Sequence, residues 1–194
     1  MRIYLVRHAS HDLIGQMLCG RSVDPEINED GRRQARALAD SLSKEPIDLV
    51  HTSPRRRARE TARTIADLIG CPCEVTPALD EIHLGDWEGR SFEALAADSR
   101  WHSWNTHRGS ATPPDGESMV HLQRRVLSHL EKLARLPIRG AVLVSHAEPI
   151  RAVLMHFRGI ALDDFHQVDV AAASISILDL PTRTEITPSE SLVA

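Results

Sequence analysis

The chain has 194 residues, 27 acidic and 23 basic side chains, a formal charge of -4, 42% hydrophobic and 26% charged residues, the balance of one globular domain. The acidic balance and an aromatic content of 4% speak against a nucleic-acid binder, and no apolar run is long enough to span a bilayer. Three cysteines without framework spacing (Cys19, Cys71, Cys73) speak against a disulfide scaffold and for a reducing cytoplasm, and Arg7 and His8 cut the N-terminal apolar stretch too short for a signal core.

In chain order, Ile3 to Val6 is a short apolar run with β-branched members, which predicts a buried strand. Ala35, Leu38, Ala39 and Leu42 follow helical spacing from a possible N-cap at Asn28. Ile47 to Val50 predicts a second strand that ends near Thr52. Pro54 then opens a helix with Ala58, Ala62, Ile65, Ala66 and Ile69 on one face and Gly70 as its stop. Glu74 to Leu79 predicts an edge strand. The segment 85–116 lacks periodicity and holds all three tryptophans, which predicts an insertion or lid over a pocket. Met119, Leu122, Val126, Leu130 and Leu133 mark a long helix. Ala141 to Val144 is another buried strand, Pro149 to Phe157 a helix and Ser174 to Leu180 the last strand, before a polar tail at 181–194 that reads as loose.

This alternation predicts an α/β fold: a three-layer α/β/α sandwich with a mostly parallel central sheet, forming one domain over 1–194. Ligands of such folds sit at the carboxyl ends of the strands. Two strands end alike, in Arg7-His8 and in Ser145-His146, and a third leads into Ser53-Pro54 and the arginines 55, 56, 57 and 59. One strand-end histidine is most simply a satisfied polar residue at a core edge; two of them with arginines mark a site. Arginines in a first helical turn oppose the helix dipole. Pairing with Glu60 or a solvated face accounts for most of them, and a bound anion relieves the remaining conflict. No HxxxH or CxxC spacing suggests a metal, and Cys71-Pro72-Cys73 reads as packing.

The motifs resemble those of the histidine phosphatase superfamily, also called phosphoglycerate mutase-like. Arg7-His8-Ala9 is similar to its RHG signature, Asn28 to Ala35 to LTxxGxxQA, and Ser53 to Ala62 to SPLxRAxxTA. Leu79-Asp80-Glu81 with Gly85-Asp86-Trp87-Glu88-Gly89 resembles LxE…GxWEG. Pro114 to Ser118 resembles PxGES, and Val144-Ser145-His146 resembles VSHG. The third signature position is Ala9 rather than Gly, Ser10-His11-Asp12 replaces the usual E-T/S-x-W-N, and Ala147-Glu148 follows the second histidine.

The resemblance implies a metal-independent phosphomonoesterase with no cofactor, acting on a small phosphorylated metabolite. His8 is then the nucleophile that carries a phosphohistidine, His146 the second phosphate-pocket histidine and Glu81 the proton donor. Arg7, Arg57 and Arg21 hold the substrate, and Glu88, Asp86 and Glu148 are alternative acids. A mutase, a protein phosphohistidine phosphatase and a non-catalytic phosphate sensor are the competing readings. The missing W-N segment and the modest length favour hydrolysis over mutase chemistry, and the presence of all five of Arg7, His8, Arg57, Glu81 and His146 speaks against a sensor. Neither nucleic acid nor membrane is an expected partner, and the sequence does not give the oligomeric state.

Overall fold

Strand β1 (Arg2–Arg7) is apolar at successive positions because both of its faces are covered. It pairs in parallel with β4 (Gly140–Ser145) and antiparallel with β5 (Ile175–Asp179). With β2 (Leu49–Thr52) and β3 (Cys73–Val75) they form one sheet of order β3-β2-β4-β1-β5, parallel except at β5. Alternation decides where each side chain goes. Ile3, Leu5, Ala141 and Leu143 pack towards α5 (Met119–Leu133) and α6 (Ala147–Arg158). Tyr4, Val6, Val50, Val142 and Val144 pack towards α1 (Glu29–Leu42) and α2 (Arg56–Ile69). The result is the three-layer α/β/α sandwich with a mostly parallel sheet. The structure, a computed structural model, describes residues 1–181, so the tail expected to be loose lies, from 182 onward, outside the described residues. No described helix is long and apolar enough to cross a membrane.

Several boundaries differ from the sequence expectation, each for a local reason. Strand β2 ends at Thr52, as expected, but starts at Leu49 rather than Ile47, whose N–H turns back to the Glu45 carbonyl at 2.8 Å; His51 and Thr52 continue the ladder to β4, and His51 Nδ1 pairs with His129 Nε2 of α5 at 3.1 Å. The edge strand stops at Val75. Pro77 brings no amide proton to a ladder and instead opens a 3-10 turn, Pro77–Leu79, which points Asp80 and Glu81 across the strand ends. Helix α2 starts at Arg56 rather than Pro54. Helix α6 starts at Ala147, with His146 as its N-cap and Pro149 in the first turn, where a missing amide is harmless. Asn28 does cap α1, its side chain accepting from Gly31 N–H, and Gly70 ends α2 at a φ of 77°.

The segment 85–116, expected as an insertion or lid over a pocket, is packed into the core. It contains a 3-10 turn (Gly85–Trp87), α3 (Phe92–Ala96) and α4 (Ser99–Thr106). Trp87 and Trp104, 0% and 2% exposed, join the core beneath α5 and α6. Trp87 meets Trp101 and Trp104 edge-on, with ring centroids 5.3 and 5.8 Å away. Gly85, at a φ of 53°, lets this segment touch the turn at 114–116: a Cβ there would lie 1.9 Å from the Pro114 carbonyl oxygen. Trp87→Ala is expected to remove roughly 3–5 kcal/mol of stability, because the ring is enclosed on all sides and its Nε1 donates to Asp98. A thermal melt should show a midpoint lower by roughly 10 °C.

Candidate active site

The register Arg7↔Ser145 places the ends of β1 and β4 side by side, so the next residues, His8 and His146, are neighbours. Their rings meet edge-on with centroids 5.1 Å apart, and both are buried. His8 Nδ1 lies 2.9 Å from the Ala9 carbonyl oxygen. A carbonyl only accepts, so Nδ1 carries the proton and Nε2 keeps its lone pair. Burial, and then Arg57 and Arg7, hold His8 well below the ordinary histidine range, which keeps it neutral. His146 is depressed in the same way, by burial first and then by Arg57. Its Nε2 is 2.7 Å from Ser53 Oγ, which leaves Nδ1 3.9 Å from Glu81 Oε2 with no hydrogen-bond partner.

His8 lies in a cleft of about 310 Å³ that is also lined by Arg7, Arg57 and Glu81. Arg7 donates to the Val170 carbonyl at 2.6 Å and Arg57 to the Gly20 carbonyl at 2.9 Å, which fixes both guanidiniums while the Nε of each stays buried without a hydrogen bond. Arg55 and Arg56 are committed elsewhere: Arg55 to Asp80 and the Arg21 carbonyl, Arg56 to Glu60 and Glu26. Of these three successive arginines, Arg57 is the one that lines the cleft.

Glu81 Oε1 accepts from Ile82 N–H, and the side chain is 14% exposed. Burial, reinforced by the charge of Glu148, raises its pKa from 4.5 to about 7, against the pull of Arg57 and Arg7. Its main chain is clamped: the Glu81 carbonyl accepts from Arg21 Nε at 2.7 Å and from Arg125 at 3.0 Å, and both arginines pair with Glu117. Arg21, expected to touch substrate, therefore stands behind the cleft, where its guanidinium is tied to Glu81 and Glu117 and is not part of the lining. Of the alternative acids, Glu88 is occupied by Leu84 N–H and Ser22 N–H, and Glu148 is paired with Arg108 and Arg151. Among the described residues no group of three or more His, Cys, Asp or Glu side chains is gathered as a metal site.

The model of the histidine phosphatase superfamily (branch 1) matches residues 3–186. The chain belongs to that superfamily. It is 32% identical over 150 residues to the adenosylcobalamin/alpha-ribazole phosphatase of Salmonella typhimurium, covering 75% of this chain and 74% of that one. Against phosphoserine phosphatase 1 of Hydrogenobacter thermophilus it is 28% identical over 189 residues, or 96% and 90% of the two chains. The solved mycobacterial glucosyl-3-phosphoglycerate phosphatase in complex with VO3 superposes with a TM-score of 0.81 at 29% identity, covering 92% of this chain and 90% of that one.

Several cleft residues of this histidine phosphatase superfamily member were not legible beforehand. His11, in the segment that departs from the superfamily signature, stacks on His8 at 5.4 Å and is held neutral, with a pKa of about 4, chiefly by burial. Its only prior signal was its place shortly after a strand end. Arg108, at the close of the insertion, had no signal at all, and Arg151 follows Glu148 on α6 by one helical turn.

Glu81 yields a stability test. Folding raises its pKa, so this contribution to stability is fully present below pH 4.5 and is lost as the pH rises through about 7. Glu81→Gln cannot ionise. Its stability relative to the native chain should climb between pH 5 and pH 8, by on the order of 1–3 kcal/mol. Denaturant titrations at the two pH values measure this directly, and a pH-independent difference would refute the raised carboxyl.

Proposed function

We propose that this phosphatase hydrolyses the phosphate monoester of a small metabolite in two steps through a phosphohistidine on His8. The observation that carries this reading is the set of buried, unpartnered polar nitrogens, Arg7 Nε, Arg57 Nε and His146 Nδ1, around a neutral histidine whose free nitrogen is Nε2. Unpaired buried donors are costly, and a phosphate dianion supplies the acceptors they lack. The relatives named as phosphatases of small phosphorylated compounds support the same reading.

In the first step His8 Nε2 attacks phosphorus and the bond to the ester oxygen breaks. Arg7 and Arg57 hold the equatorial oxygens in place, joined by the Nδ1–H of a neutral His146 whose Nε2 accepts from the Ser53 hydroxyl, so positioning and fixed charge supply most of the acceleration. The departing alkoxide takes the proton of Glu81, whose pKa of about 7 leaves an acid present at neutral pH. In the second step the Glu81 carboxylate takes a proton from water, whose oxygen attacks phosphorus. The N–P bond breaks, orthophosphate leaves and His8 is restored. Arg21 serves this cycle indirectly, by holding the Glu81 main chain. We further propose the reducing cytoplasm as its location, where Cys19, Cys71 and Cys73 stay free thiols.

His8→Ala should abolish turnover of p-nitrophenyl phosphate at an unchanged melting temperature, and the native enzyme should yield an acid-labile, base-stable phosphoprotein on rapid quench. Residual activity above a few per cent in a folded variant would remove His8 from the role of nucleophile.

Glu81→Gln should discriminate between leaving groups. An alkyl phosphate should lose roughly 10²–10⁴ in rate, the span of general acid catalysis, while the nitrophenolate burst, which needs no proton, should be much less affected. Equal losses in the burst phase would transfer the acid role to another residue.

A further inference from the structure

Beyond the phosphate end, the cleft has a second half in which charge is already satisfied. Glu148, in the first turn of α6, lies between two guanidiniums: its Oε2 accepts from Arg108 at 2.7 Å and its Oε1 from Arg151 at 2.5 Å. Arg108 is 4% exposed. Its other terminal nitrogen donates to Asn105 Oδ1, and its plane is held against the Trp104 ring at 4.0 Å and the Phe165 ring at 3.6 Å. Arg151 is tied as well, donating from Nε to the Val168 carbonyl. Burial alone would raise the Glu148 carboxyl, but the two guanidiniums outweigh it and keep the group below its ordinary range, so it is ionised. The arginine fork that could have held a carboxylate of the substrate is therefore filled by one from the protein.

The rest of this half is apolar. Ile14, Met17, Leu18, Phe92 and Trp101 line it. Ile14 and Phe92 are each 38% exposed, hydrophobic side chains left uncovered at the mouth of the cleft. The same cleft is lined by His8, Arg7 and Arg57, so an ester with its phosphate at His8 sets its alcohol portion against this wall.

We propose that Glu148 is a specificity-determining residue that fills the Arg108–Arg151 fork and thereby selects phosphate esters of uncharged, largely apolar alcohols over those whose alcohol carries a second anion. The proposal rests on the phosphatase reading above. A substrate carboxylate entering this half has two options. It displaces Glu148, a tethered competitor that also sits favourably at a helix N-terminus, or it stays desolvated beside a like charge. An apolar alcohol faces neither penalty and gains contact with the wall.

The test uses two alkyl esters with similar leaving groups, 3-phenylpropyl phosphate and 3-phosphonooxypropanoate, with p-nitrophenyl phosphate as a reference. The native enzyme should favour the phenylpropyl ester in kcat/KM by about tenfold or more, and Glu148→Gln, which empties the fork of its charge, should shrink or invert that ratio by a similar factor. The ratio cancels any change in Glu81 acidity, because both esters need the same proton. Phe92→Ser, a change at an exposed position that does not threaten folding, should also lower the ratio, by about threefold or more through lost apolar contact. A native preference for the acid, or a ratio unmoved by Glu148→Gln in a folded protein, overturns the proposal. If Glu148→Gln does not fold, the native ratio and Phe92→Ser decide. Failure to hydrolyse any of the three esters would instead overturn the phosphatase reading on which the proposal rests.

Discussion

Arg7 stands opposite Ser145 in a parallel ladder, and the chemistry of the cleft depends on that pairing. Parallel strands end at the same edge of a sheet, so two chain segments separated by more than a hundred residues deliver their histidines as neighbours. The third strand joins by the same ladder: Ser53 N–H donates to the Val144 carbonyl, which brings the Ser53 hydroxyl within 2.7 Å of His146 Nε2. A slip of one residue between β1 and β4 would exchange the two packed faces of β1 and set His8 out of step with His146. The burial that stabilises the sheet thus also fixes the geometry of the candidate site.

The same burial creates the electrostatic tension of the site. Guanidiniums withdrawn from water keep their charge, so the histidines beside them stay neutral and the nearby carboxyl is shaped by competing neighbours. Glu81 and Glu148 share one cleft yet shift in opposite directions. Glu148 is bonded to two arginines, whereas Glu81 meets an amide and the repulsion of Glu148. Two carboxyl groups in one pocket thereby hold distinct protonation states near neutrality, and it is position rather than residue type that separates them.

What the sequence made legible follows from periodicity and from the rule about strand ends. His8 and His146 could be marked because each lies just after an apolar strand, whereas the strand rule offers four arginines, and only the resemblance of Ser53 to Ala62 to the superfamily segment singles out Arg57. The centre of the sheet could be drawn because β1 and β4 are apolar on both faces. Arg21 was assigned to the substrate because sequence locates a backbone and not a guanidinium, which Glu117 and the Glu81 carbonyl draw away. Arg108 belongs to a segment whose packing is aromatic and irregular, and no repeat in the sequence announces such packing.

That aromatic packing also gives the molecule an optical property. All three tryptophans of the chain belong to one cluster, with Trp101 and Trp104 on the wall of the cleft and Trp87 against both. The intrinsic indole emission of the protein therefore originates at the wall of the cleft. An occupant of the cleft touches two of the three indoles, and no tryptophan elsewhere in the chain adds to their emission.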